Sequence, residues 1–365
     1  MQRTKRFSLI VFIFGIVLNI SAQQDGAVKV LTAEEMDAQK NETPVQALEK
    51  FNEGITAFEQ KNYPLSVQLY TEAITIAPGF AKAYLNRAYA QLELKKSAEA
   101  KADFIKAAEL DNTIHQGWFE MAIMAESDNN PKEAIELYGK AIASNNQQAK
   151  YFYQRAVLEF GQENFEAAKK DLTSAIELKK DYAFAYNDRG SVNRELGDMN
   201  AAIKDYQAAT ALDSKSKIAY NNLGSAYRKN GDYKNAITAY TESIGIDKQF
   251  YLAYNNRGFA KYESGDYEGA IKDFQEAIKI KSDYAYAYNN IASAYLKMKK
   301  YKEAITACDK AIGIDGDYGY AYYNRGVANE MLREEVKACQ DWQKAAELGI
   351  ESANTYYNNS DCKNQ

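Results

Sequence analysis

Apolar residues recur along this chain at a fixed interval of 34, and inside each interval they fall four and three positions apart. Laid out in nine rows, with registers starting near 47, 81, 115, 149, 183, 217, 251, 285 and 319, residues 50 to 355 need no insertion or deletion. One column reads Lys50, Tyr84, Trp118, Phe152, Tyr186, Tyr220, Tyr254, Tyr288 and Tyr322, aromatic in every row but the first. Four residues later stand Gly54, Ala88, Ala122, Ala156, Gly190, Gly224, Gly258, Ala292 and Gly326. A position that never carries more than a methyl group implies two backbones in close approach, where added volume costs about 1–3 kcal/mol.

Each row continues with a small residue, as at Ala236 and Ala270, a bulky one, as at Tyr240 and Phe274, and another small one, as at Ser243 and Ala277. Spacings of three, four and their sums belong to helices, not strands. Between the two halves of a row sits a break such as "SGDY" at 264 or "KNGDY" at 229, where Gly ends one helix and Asp caps the next. Pro64 and Pro131 stand where a second helix begins, and Thr43-Pro44 starts the first helix of all. Every row therefore predicts helix, turn, helix.

The aromatic column, the Gly/Ala column, the GDY turn and the closing Ala-Ile pair resemble the tetratricopeptide repeat over residues 47 to 355. The proline common near that repeat's end appears only once, as Pro78. The resemblance implies an all-α fold, a right-handed superhelix of nine helix pairs within 44–355. Its concave face would be lined by the first helix of each row, a surface the family uses to bind extended peptides or partner helices. The register continues past row nine, and residues 356–365 read as a truncated closing helix and tail that covers the last flank. In that position Cys362 would face Cys339 and form a disulfide, while Cys308 reads as a small buried apolar residue.

The motif "YNNRG" at 254–258 varies from row to row in its fourth letter: Glu53, Arg87, Met121, Arg155, Arg189, Leu223, Arg257, Ile291 and Arg325. Sixteen residues later stand Leu69, Asp103, Leu137, Asp171, Asp205, Ala239, Asp273, Ala307 and Asp341, so all five Arg rows carry Asp and none of the others does. The rows act as one another's controls. This covariation predicts an ion pair joining the two helices of rows two, four, five, seven and nine, in preference to a catalytic or anion-binding arginine.

The second and third letters place polar amides on the implied groove: Asn52, Asn86, Asn187, Asn221, Asn222, Asn255, Asn256, Asn289, Asn290 and Asn324. An amide offers both donor and acceptor, so a ladder of them could follow the main chain of a bound peptide. The alternative is that Asn merely suits the solvated side near a helix start. Phe119, Tyr153, Phe184, Tyr286, Tyr320 and Tyr323 would add apolar contact area. The family's carboxylate clamp needs Lys in the second letter, where this chain has only Phe, Leu, Tyr and Asn. A neutral peptide, glycan or protein face is the expected ligand.

Composition adds the ends of the chain. Arg3, Lys5 and Arg6, the apolar run Phe7 to Ile20 and the small pair Ser21-Ala22 read as a signal peptide, 1–22, cleaved near Ala22, with an uncleaved anchor as the alternative. Residues 23–43 read as a polar leader. The expected location is the periplasm or outside the cell, with no stable membrane span after cleavage. Removing 1–22 takes away three positive charges and no acids, moving the formal net charge from -5 to -8. A nucleic-acid partner is disfavoured, because phosphate neutralisation needs a basic surface.

Nothing in the pattern suggests catalysis or a cofactor. The sole histidine, His115, reads as an exposed turn residue without repeated partners. No phosphate-binding loop, metal-ligand spacing or nucleophile elbow is present. The sequence thus predicts a non-enzymatic scaffold that holds a protein or peptide in its groove. A carbohydrate-binding groove and an envelope component self-associating end to end are the alternatives.

Overall fold

The computed structural model describes residues 43–359 and Cys362. The segments read as signal peptide and as leader up to residue 42, together with Ser360, Asp361 and the residues after Cys362, lie outside the described residues. Among the described residues there are nineteen helices and no strand. The first helices of the nine rows are α1 (Val45–Glu59), α3 (Ala81–Glu93), α5 (His115–Ser127), α7 (Ala149–Gly161), α9 (Ala183–Glu195), α11 (Lys217–Lys229), α13 (Tyr251–Glu263), α15 (Ala285–Lys297) and α17 (Gly319–Met331). The second helices are α2 (Tyr63–Ile76), α4 (Ser97–Leu110), α6 (Pro131–Ser144), α8 (Phe165–Leu178), α10 (Met199–Leu212), α12 (Tyr233–Ile246), α14 (Tyr267–Ile280), α16 (Tyr301–Ile314) and α18 (Glu335–Glu347), and α19 (Glu351–Asn359) closes the series. The all-α repeat architecture read from the period is what the chain forms. No helix among the described residues is long and apolar enough to cross a membrane.

The turn inside each row has a common cause. One residue adopts left-handed φ in every row, at Lys61, Lys95, Asn129, Glu163, Gly197, Gly231, Gly265, Lys299 and Arg333. Where that residue is Gly, the next is Asp198, Asp232 or Asp266, whose carboxylate accepts from the N–H of Ala201, Asn235 or Gly269 and so satisfies an orphan donor. Asn62 and Asn130 cap α2 and α6 in the same way, each followed by a proline in the first turn.

The chain divides into two compact units, the first ending at Tyr151 and the second starting at Phe152. The 34-residue register runs through this point without insertion, so the sequence carries no mark of it. In the first unit Phe51, Ile55 and Tyr70 of row one pack with Phe80 and Ala83 of row two. In the second, Ile271 and Phe274 of row seven meet Ala287, Ile291 and Cys308 of row eight. One apolar interior in each unit is thus shared between neighbouring rows.

In the Gly rows of this column the nearest neighbour is a ring of the second helix, and at Gly258 the backbone oxygen of Ala270 is also close, at 3.1 Å. A Cβ built on Gly224 would lie 2.7 Å from Tyr240 Cε1, and one on Gly326 would lie 2.6 Å from Trp342 Nε1. Gly54, Gly190 and Gly258 meet Tyr70, Tyr206 and Phe274 at 2.7 to 2.9 Å. Ala156 and Ala292 face the smaller Leu172 and Cys308, while Ala88 and Ala122 face the buried rings of Phe104 and Tyr138, so a ring admits Ala in two rows. Cys308 is fully buried, and burial pushes its thiol up.

The closing helix starts at Glu351, earlier than the 356 read from the register, because α18 stops at Glu347 and Gly349, at φ +86°, turns the chain early. Tyr356 lies 5.1 Å from Trp342 ring to ring, and Ala353 packs into the same cluster. Cys339 and Cys362 are joined by a disulfide.

Candidate functional site

Within the second unit, the consecutive first helices α9, α11, α13, α15 and α17 lie closer to one another than the consecutive second helices do. First helices therefore line the narrower side. Along it runs a ladder with a constant span of 35 residues. Asn222 donates Nδ2–H to Asn187 Oδ1 at 3.0 Å, Asn256 to Asn221 at 3.0 Å, Asn290 to Asn255 at 3.0 Å, and Asn324 to Asn289 at 2.8 Å. The same relation between rows four and five is made by Tyr153, whose hydroxyl donates to Asp188 Oδ2 at 2.8 Å. Burial raises the Asp188 carboxyl above its ordinary value, against hydrogen bonds from Tyr153 and Asn187.

These amides accordingly hold row to row, and Asn255 and Asn289 are buried. In the first unit Asn86 is buried and Asn52 half-buried. The aromatic candidates divide. Phe119 is buried, stacked on Tyr151 at 4.6 Å, and so contributes to the first unit's core and not to its surface. Tyr153 and Tyr323 are half-buried against Tyr182 and Tyr356. Phe184 and Tyr320 stand 55% and 56% exposed. Tyr320 ends a run of rings, Tyr251, Tyr284, Tyr286, Tyr318 and Tyr320, with successive centroids 5.0, 5.7, 4.9 and 6.3 Å apart. Tyr251, Tyr284 and Tyr318 were not among the sequence candidates; for Tyr284 and Tyr318 the column they share with Phe80, Tyr182 and Phe250 was the available signal.

The arginines occupy the other side, between second helices. Arg87, Arg155, Arg189, Arg257 and Arg325 each contact Asp103, Asp171, Asp205, Asp273 or Asp341 through both Nε and Nη2 at 2.6 to 3.1 Å. All five carboxylates are buried. Hydrogen bonding to the aspartates raises the guanidinium pKa of Arg87, Arg155 and Arg189. Sequence reasoning missed a third contact: Nη1 of Arg87, Arg189 and Arg257 donates to Thr71, Thr173 and Thr241 of the preceding row, and Nη1 of Arg325 to Asp309. Four of the arginines also lie over the aromatic ring three residues earlier, at 5.3 to 5.6 Å. The pair is thus a link between rows as well as within one.

His115 is not an exposed turn residue. It opens α5, half-buried, with Nδ1 2.6 Å from the Tyr151 hydroxyl, and burial lowers its pKa, with Lys150 adding to the effect.

Nineteen helices in this order define a helix-turn-helix repeat protein. The model described as TPR repeat matches residues 190–231, 224–265 and 260–299, and models described as tetratricopeptide repeat match 69–102, 149–182 and 285–318. Together they cover more than half of the sequence, and the chain belongs to the tetratricopeptide repeat proteins.

Among curated relatives, small glutamine-rich tetratricopeptide repeat-containing protein 2 of Saccharomyces cerevisiae is 30% identical over 139 residues, 38% of this chain and 38% of that protein. Hsp70-Hsp90 organizing protein 1 of Glycine max is 31% identical over 191 residues, 51% of this chain and 32% of that protein. The chain thus spans only about a third of the length of these relatives. A solved tetratricopeptide repeat protein from Parabacteroides merdae is similar in fold, with a TM-score of 0.56 and 18% identity over 67% of this chain and 97% of that one.

Proposed function

We propose that this protein is a non-enzymatic interaction scaffold, exported to the periplasm, that holds a partner peptide or protein against the first helices of its second unit. The observation that carries this reading is the run of tyrosines from Tyr251 to Tyr320, with Phe184 exposed on the same set of helices. Rings present large apolar area at little entropic cost, and such residues dominate binding energy where partners meet. The asparagines contribute in a different way: their amides bond across rows and hold the first helices in register. Export rests on the character of residues 1–22. End-to-end self-association forms no part of the proposal, because α19 covers the last row.

The test uses the full chain as it occurs in the envelope fraction. A partner captured by the wild type and identified is titrated against the purified protein and against Phe184→Ala, Tyr286→Ala and Tyr320→Ala combined. The expected result is a loss of affinity of about tenfold or more at unchanged helix content. Equal affinity would remove this face from the proposal.

A further inference from the structure

We propose that row five carries a cation site on the first-helix face, in which Asp188 takes the guanidinium of an arginine on the bound partner, supported by the rings of Tyr153, Tyr182 and Phe184. The inference rests on the partner lying against the first helices and adds a charge requirement at one place along them.

Rows six to nine share one hydrogen bond, in which the third-letter Asn donates back to the second-letter Asn of the row before. Row five reverses it. Asp188 stands in the third letter, and an ionised carboxylate has no hydrogen to give, so its Oδ2 accepts from Tyr153, the second letter of row four, at 2.8 Å. Its Oδ1 accepts from Asn187 Nδ2–H at 3.0 Å, and Asn187 in turn accepts from Asn222 at 3.0 Å. Donors from three successive rows thus run toward one carboxylate, an arrangement that favours its charged form.

The counter-charge is missing. Asp103, Asp171, Asp205, Asp273 and Asp341 each meet an arginine, whereas no Lys or Arg among the described residues forms an ion pair with Asp188. The nearby cations are engaged elsewhere: Lys179 lies over the Tyr182 ring at 5.2 Å, and Arg194 bonds Glu195. Burial opposes the Asp188 charge, and an entering cation would offset that cost. The next four rows carry the uncharged Asn in this place, so the carboxylate breaks the local pattern without a compensating partner inside the chain, as residues at binding sites do.

The rings select the form of the cation. Tyr153 and Tyr182 are half-buried with centroids 4.9 Å apart, and Phe184, one turn before Asp188 on the same face of α9, is 55% exposed. A guanidinium stacks on ring faces and matches both carboxylate oxygens, which the compact ammonium of lysine does not. Row five already contains this combination on its other side, where Arg189 bonds both oxygens of Asp205 and lies over Tyr186 at 5.5 Å.

The probe is acetyl-Gly-Arg-Gly-amide, titrated on the full chain at neutral pH and followed by saturation transfer to the arginine side-chain protons. Two control peptides replace arginine by citrulline, which keeps the shape and loses the charge, or by lysine. We expect saturable binding of the arginine peptide, tighter than that of the lysine peptide and about tenfold or more tighter than that of the citrulline peptide. Asp188→Asn should reduce the arginine peptide to the citrulline level without lowering the melting temperature. Phe184→Ala, at an exposed position that leaves folding intact, should weaken it severalfold. Absent saturable binding, equal binding of arginine and citrulline peptides, or undiminished binding by Asp188→Asn would overturn the site; lysine binding as tightly as arginine would overturn the guanidinium assignment. None of these results touches the loss of a captured partner on combined substitution of Phe184, Tyr286 and Tyr320, so the two readings fail separately.

Discussion

The guanidinium of Arg257 forms two hydrogen bonds to Asp273, Nη2 to Oδ1 at 2.7 Å and Nε to Oδ2 at 2.9 Å, while Lys261 Nζ also lies 2.8 Å from Oδ2. At Asp171 the cation contact is Arg155. Removing one partner of a buried pair leaves a charge that burial disfavours, at a cost of about 3–5 kcal/mol. Arg155→Ala should therefore lower stability by about that amount, and Arg257→Ala by less, because Lys261 remains. Replacing Arg155 and Asp171 together with Leu and Ala, the combination that rows six and eight approximate, should recover most of the loss. Urea denaturation of the three variants measures this; a double variant as unstable as Arg155→Ala would show that the pair is not the unit.

Gly224 sits under the Tyr240 ring, where a Cβ would approach to 2.7 Å. Gly224→Ala should destabilise by about 1–3 kcal/mol despite the better helix propensity of alanine. Adding Tyr240→Leu, after the Leu172 of row four, should relieve the clash. Two single-variant melting curves and the double decide it.

Asp188 takes the third-letter place that holds Asn in the next four rows. Its folded pKa is raised above the ordinary 3.8 by burial, so folding favours the protonated form. The stability it contributes is present in full below the unfolded value and declines as pH rises through the folded one. Asp188→Asn should leave the melting temperature near pH 3 unchanged and raise it by a few degrees at pH 7. His115, whose pKa is lowered, acts in the opposite sense, losing stability as pH falls through its unfolded value near 6.5. A pH series comparing Asp188→Asn with the wild type isolates the carboxyl; equal curves would remove its role.

The Cys339–Cys362 bond closes a loop with a separation of 23 residues. Restricting the unfolded chain over such a loop contributes about 3 kcal/mol. Reduction, or Cys339→Ser, should raise amide exchange first in α19 and row nine while rows five to seven keep their protection. Uniform loosening of the second unit would contradict this.

The period made most of this fold legible, since a repeat writes its contacts several times over. Arg257 and Asp273 could be paired from sequence because rows without Arg also lack Asp. The Thr241 contact left the same trace, with Thr71, Thr173 and Thr241 preceding Arg rows, but Gly139 and Asp309 blur that column. The left-handed turn residue was visible as Gly in rows five to seven and hidden elsewhere under Lys, Asn, Glu and Arg, since the turn is imposed by packing of the two helices. The asparagines were legible as a series. Their partners were not, because an amide that bonds its neighbour and one that awaits a ligand look alike in sequence.

The most direct test of the account places a photo-activatable side chain at Tyr286 or Tyr320 on the first helices, and at Thr238 on the exposed side of α12, in the full chain expressed in its native cells. The account predicts that a partner is cross-linked from Tyr286 and Tyr320 and not from Thr238. Cross-linking from Thr238 alone would contradict it.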